Sequence, residues 1–168
     1  MITIDWLWVL NSALAGLPML AAWRWGAAPE RICAAVFLAN VIVDRLYHMA
    51  VGRGTIYMSV DLGHLAIGVS TIIVLVGVAL RANRVYPLWL SAFQGLVIIS
   101  HFTREASAKI SVLAYALLTY GPSIFQIAIL ALGIALHARR VKRYGKYPSW
   151  RSSSNQLPGE MQPPSRPD

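Results

Sequence analysis

The run VDLGHLAIGVSTIIVLVGVAL, from Val60 to Leu80, decides the class of fold. Asp61 and His64 near its start are its only ionisable side chains, and it has the ~20 apolar residues that a helix needs to cross a hydrocarbon core of about 30 Å. Its polar and small residues are not scattered. Asp61, His64, Gly68 and Thr71 recur at steps of three, four and three, so a helix gathers them on one face and leaves the others to Leu, Ile and Val. A polar face of this kind in hydrocarbon is expected to turn toward neighbouring helices.

Four further apolar stretches flank this one, at Ile4 to Trp25, Ile32 to Val51, Val85 to Phe102 and Ile110 to Ala138. Of the 168 residues 57% are hydrophobic and 13% charged, with mean hydropathy +0.54, whereas soluble domains carry about 25% charged residues. This composition excludes a soluble globular domain. The expected fold is all-α, an integral membrane bundle of five transmembrane helices over residues 1–138. The first stretch has Asp5 at its start and no basic n-region, so it is expected to be retained and not cleaved as a signal peptide. Trp6 and Trp8 near one end and Trp23 and Trp25 near the other stand about 25 Å apart along a helix axis, close to the separation of the two interfacial aromatic belts.

The formal net charge is +8, and its distribution orients the bundle. With five spans and the N-terminus outside, the inner side receives Arg24, Arg31, Arg81, Arg84 and the seven basic residues from Arg139 onward, eleven in all. The outer side receives Arg53, Arg104 and Lys109, three in all, so the positive-inside rule favours this arrangement. A sixth crossing at Gly121-Pro122 would place the basic tail outside. One fifth span, kinked at Pro122, is therefore expected. Beyond it, residues 139–151 read as a basic juxtamembrane segment in which Arg139, Arg140, Lys142, Arg143 and Lys146, interleaved with Tyr and Trp, meet anionic lipid headgroups. Residues 152–168, rich in Ser, Pro and Gln, read as a disordered tail. The basic run abuts an apolar span, so its expected polyanion is the lipid surface and not nucleic acid.

Polar side chains mark one face of most spans. Asn40, Asp44 and His48 follow at i, i+4 steps in the second, Gln94, His101 and Glu105 at steps of seven and four in the fourth, and Ser111, Tyr115, Thr119, Pro122 and Gln126 at steps of three and four in the fifth. The first contributes only Asn11 and Ser12. Three of these faces repeat one chemical feature, a carboxylate and a histidine one turn apart: Asp44 with His48, Asp61 with His64, and His101 with Glu105. The topology places all three pairs in the outer half of the bilayer. A carboxylate holding one ring nitrogen fixes the tautomer and leaves the other for a proton, a metal or haem iron. Asp44, His48, Asp61, His64, His101 and Glu105 are thus the candidate metal ligands, and His48, His64 and His101 the candidate cofactor ligands. No HExxH or ExxH motif is present, and the single cysteine, Cys33, excludes an intrachain disulfide and a cysteine zinc site.

The runs Asp61-Leu-Gly-His64-Leu, Arg81-Ala-Asn-Arg84-Val-Tyr86-Pro87-Leu-Trp89 and Ser111-Val-Leu-Ala-Tyr115-Ala resemble those of a group of uncharacterised small bacterial multi-span proteins. The resemblance covers most of residues 31 to 151 and implies a membrane fold and bacterial origin, without implying an activity; the expected location is the bacterial inner membrane. The leading expectation is a small accessory or interaction membrane protein, with a membrane-protein partner or a second copy of itself, whose Asp/His layer holds the bundle together. The alternatives are a metal- or haem-binding redox protein and a proton-coupled carrier using Asp44 and His48.

Overall fold

Each helix starts or stops where the sequence supplies a local reason. Gly26 and Ala27 separate α1 (Thr3–Trp25) from α2 (Ala28–Val51). At Gly26 a Cβ would meet the Ala22 carbonyl oxygen at 2.6 Å and Glu30 Cβ at 2.8 Å, so the turn closes only with glycine. In the first turn of α2 Pro29 needs no donor, and Glu30 accepts a 3.0 Å hydrogen bond from the Ala27 backbone N–H, one half of a capping box. Arg31 reaches back to the end of α1, with Nη2 3.3 Å from the Trp23 carbonyl oxygen and Nε 3.4 Å from that of Ala22. It supplies donors to carbonyls that a helix end leaves open.

The computed structural model describes residues 3–51, 62–106 and 112–151, with side chains over 13–50, 62–100 and 121–151. The remaining helices are α3 (Leu62–Arg81), α4 (Tyr86–Ala106) and α5 (Val112–Tyr144). Among the described residues every regular element is helical, and the five helices follow the five apolar stretches of the sequence. α5 runs as one helix through Gly121-Pro122 and on past Ala138 through Arg139, Arg140, Lys142 and Arg143. It ends at Gly145, whose φ of 79° and 2.9 Å bond from its N–H to the Val141 carbonyl form a left-handed cap. The expected tail, 152–168, lies outside the described residues.

Chain neighbours pack on one another, α1 on α2, α2 on α3, α3 on α4 and α4 on α5, and α5 closes the set against α1. Three helices, Ala28–Ala50, Leu62–Arg81 and Gly121–Tyr144, are long and apolar enough to cross a membrane, and Tyr86–Ser100 is a shorter apolar helix. The polarity is reversed relative to a water-soluble bundle. Leu46, Ile73, Leu80, Ile99, Phe125 and Leu132 are exposed, while Thr71, Ser91, Gln94, Ser100 and Gln126 are buried.

The buried polar side chains are satisfied across helices. Gln126 on α5 donates both amide protons, at 3.0 Å each, to the Leu90 carbonyl and to Gln94 Oε1 on α4. Gln94 in turn donates to the Gly68 carbonyl of α3 at 3.3 Å. Gly68 permits that approach, because its missing Cβ would lie 3.3 Å from Ile98 and 3.6 Å from Gln94 Nε2. Thr71 Oγ1 lies 2.9 Å from Asn40 Oδ1, tying α3 to α2. The polar faces read from the sequence thus meet within one chain at Asn40, Thr71, Gln94 and Gln126.

Among the described residues the buried apolar cluster lies toward the end where α1 turns into α2 and α3 into α4. Ala22, Cys33, Ala34, Leu75, Val78, Ala82, Leu90, Leu130 and Ile134 form the buried cluster there, and its small side chains let helices approach closely. Beside it Arg84, 7% exposed, pairs through Nη1 with Glu30, which is fully buried. Arg84 Nη2 also reaches Ser149 Oγ at 3.5 Å. The chain beyond Gly145 folds back onto the α3–α4 turn, with the Asn83 N–H donating to the Ser149 carbonyl at 3.1 Å and the Arg151 N–H to the Arg81 carbonyl at 2.8 Å.

Removing one partner of a buried ion pair leaves the other charge uncompensated, at a cost of about 3–5 kcal/mol, whereas replacing both with apolar groups is often neutral. Arg84→Ala is therefore expected to lower the thermal midpoint in detergent sharply, and the double variant Glu30→Leu/Arg84→Met to recover most of the loss. A double variant no more stable than Arg84→Ala would contradict this role for the pair.

Candidate metal centre

Two helices bring three of the six expected ligands together. Asp44 and His48 share a face of α2 one turn apart, about 24 Å and 30 Å along the axis from its start, and His64 stands in the first turn of α3. His64 Nε2 lies 2.7 Å from Asp44 Oδ1, and His48 Nε2 lies 3.6 Å from the same oxygen. One donor atom from each of the three residues falls within 4.8 Å of the others. The side chains are partly shielded, 38% exposed for Asp44, 24% for His48 and 22% for His64. His48 Nδ1 is buried and has no hydrogen-bond partner among the described residues, a state in which a ring nitrogen commonly meets a water or an ion.

The aromatic ring of Tyr47 orients this group. It meets the His64 ring edge-on, at 5.3 Å between centroids and 89°, and the His48 ring at 5.9 Å and 60°; the two imidazoles are 5.0 Å apart. Tyr47 holds this position by lying on the backbone of α3 at Gly63, where a Cβ would overlap its ring. Gly63 is a close-approach position.

The chemistry follows from the donor set. Two imidazole nitrogens and one carboxylate oxygen suit zinc or ferrous iron, with positions left for water or substrate. Tetrahedral ligands at about 2.0–2.1 Å from a zinc ion lie roughly 3.3 Å from one another, and the 2.7 Å and 3.6 Å separations bracket that value. A haem shared by the two histidines needs them on opposite faces of the macrocycle. Here both Nε2 atoms turn toward one carboxylate oxygen, an arrangement that favours a bare ion.

The within-helix spacing suggests Asp61 for His64, and the structure adds Asp44 of the neighbouring helix. Asp61 lies outside the described residues, as do the side chains of His101 and Glu105 near the end of α4. Of the expected lipid-facing residues, Arg139, Arg140, Lys142 and Arg143 form the last turns of α5, and Lys146 begins the returning segment. No local pattern marks what holds that segment: Tyr147 Oη shares a 2.9 Å hydrogen bond with His137 Nδ1, and its ring faces Arg84 at 5.2 Å and Arg140 at 5.3 Å.

No family model, curated protein or solved structure matches the chain. The site is therefore read from its own residues.

A methyl group at Gly63 must displace Tyr47, and overpacking of this kind costs about 1–3 kcal/mol. Gly63→Ala is expected to lower the thermal midpoint, and Gly63→Ala/Tyr47→Ala to be no less stable than Tyr47→Ala alone. Additive losses in that cycle would show that Tyr47 and Gly63 act independently.

Proposed function

We propose that the protein is a small multi-pass protein of the bacterial inner membrane and that Asp44, His48 and His64 bind one divalent transition-metal ion near the outer end of α2 and α3. The observation that carries the proposal is the convergence of two imidazole Nε2 atoms on one carboxylate oxygen. The three residues come from two helices and lie within reach of a single ion. Five spans, an outer N-terminus, a bend at Pro122 and an inner basic tail complete the proposed arrangement, supported by the positive-inside asymmetry and the resemblance of its motifs to small bacterial multi-span proteins.

Binding exchanges the proton between His64 and Asp44 for a metal, since the ligating imidazole must be neutral and unprotonated at the donor nitrogen. Asp44 then supplies the anionic ligand and the two histidines the nitrogen ligands. The ion polarises a bound water or substrate oxygen when its remaining positions are open.

A second reading is favoured by the 2.7 Å His64–Asp44 hydrogen bond, which already satisfies both partners without a ligand. In it the protein is an accessory membrane protein and the cluster ties α2 to α3, worth about 0.6 kcal/mol per interhelical bond on average.

Metal analysis and calorimetric titration with zinc, on full-length protein purified in mild detergent without chelator, separate the two. The metal reading predicts close to one ion per chain, with affinity lowered at least about 100-fold by Asp44→Ala, His48→Ala or His64→Ala. Metal-free protein that takes up no zinc at these residues, with stability alone lowered in the variants, would leave the structural reading.

A further inference from the structure

At the end of the bundle away from His48 and His64, the chain builds a cleft of about 480 Å³ between the α1–α2 turn, the last turns of α5 and the returning segment. Its walls include Arg24 and Trp25 from α1, His137 from α5, and Lys146, Tyr147 and Ser149 from the segment beyond Gly145. Among the described residues no carboxylate lines it. Glu30, beside the α1–α2 turn, is already paired with Arg84. Among the described residues no carboxylate lies within salt-bridge distance of Arg24 or Lys146. Both cations are exposed.

The position of the cleft identifies its ligand. It opens at the ends of helices whose outer faces are apolar, beside Trp23 and Trp25, which are 69% and 57% exposed and belong to the residue type that settles at headgroup depth. Its walls are also held in place. Tyr147 is fixed by His137 and by the guanidinium groups of Arg84 and Arg140, so Lys146 and Ser149 are carried on a docked segment and not on a loose tail. Two cations, a hydroxyl and an interfacial indole around a space larger than a bare phosphate match a phosphodiester with a polar substituent.

We propose that this cleft binds the phosphate headgroup of an anionic phospholipid, with Arg24 and Lys146 contacting the phosphate and Trp25 seating the upper acyl region. The proposal rests on the membrane reading of the chain and is independent of the metal at Asp44, His48 and His64. It differs from general attraction of the basic tail to a charged surface, because Arg24 lies more than a hundred residues before that tail and Arg139 and Arg143 do not line the cleft.

The test uses delipidated full-length protein in mild detergent, titrated with phosphatidylglycerol or phosphatidylcholine and read by native mass spectrometry. One retained phosphatidylglycerol per chain is expected, with no comparable retention of phosphatidylcholine. Arg24→Ala/Lys146→Ala is expected to weaken retention roughly 25-fold, at about fivefold per basic contact. Arg139→Ala/Arg143→Ala removes the same charge outside the cleft and is expected to weaken retention far less. Arg24→Lys, which keeps the charge and the fold, is expected to retain most of the binding. Equal losses in the two double variants would overturn the proposal in favour of diffuse electrostatics. Displacement of the lipid by excess inorganic phosphate would assign the cleft to a free anion.

Discussion

The buried pair between Glu30 and Arg84 fixes the arrangement of one whole end of the molecule. Neither charge is tolerable there alone. Glu30 also caps the first turn of α2 through the Ala27 N–H, so the residue that starts the helix is the one that joins it to the α3–α4 turn. Arg84 extends the junction to the returning segment through Ser149 and the Tyr147 ring. Ala22, Cys33, Ala34 and Ala82 of the buried cluster lie toward this junction, and their small side chains permit close helix contact. Gly145 supplies the reversal that brings residues 146–151 back.

The opposite end is built on a different principle. Asp44, His48 and His64 are partly exposed, share one oxygen between two rings and depend on Tyr47 for orientation. Between the two ends, the Gln94–Gln126 pair and the Asn40–Thr71 contact close the polar interior so that the outward faces remain apolar. A bundle anchored at one end by a buried ion pair leaves the other end free to exchange a hydrogen bond for a ligand at small cost to the fold. The structural anchor and the proposed chemistry are therefore separated along the helix axes.

Much of this was legible in the sequence because it is periodic. The apolar runs located the helices, and the i, i+4 spacing of Asn40, Asp44 and His48 and the placement of Thr71, Gln94 and Gln126 showed which side chains turn inward. Spacing within a helix fixes a face but not the register against the next helix. For that reason the contact of His64 with Asp44, twenty residues away on the neighbouring helix, has no mark in the local spacing that pairs His64 with Asp61. Glu30 and Arg84 are 54 positions apart, and no local pattern marks them as partners; Arg84 read only as a topology charge. The end of α5 was set at Ala138 by hydropathy, yet arginine and lysine sustain a helix as well as leucine does, and it continues until Gly145.

In the proposed site two imidazoles and one carboxylate share a single ion. X-ray absorption at the zinc edge of the loaded protein tests it most directly, because imidazole rings give outer-shell scattering that carboxylates and water do not. Two imidazole ligands with the remaining positions filled by oxygen are expected, and one imidazole fewer in His64→Ala. A spectrum of oxygen ligands alone, or one unchanged in His48→Ala and His64→Ala, would contradict it.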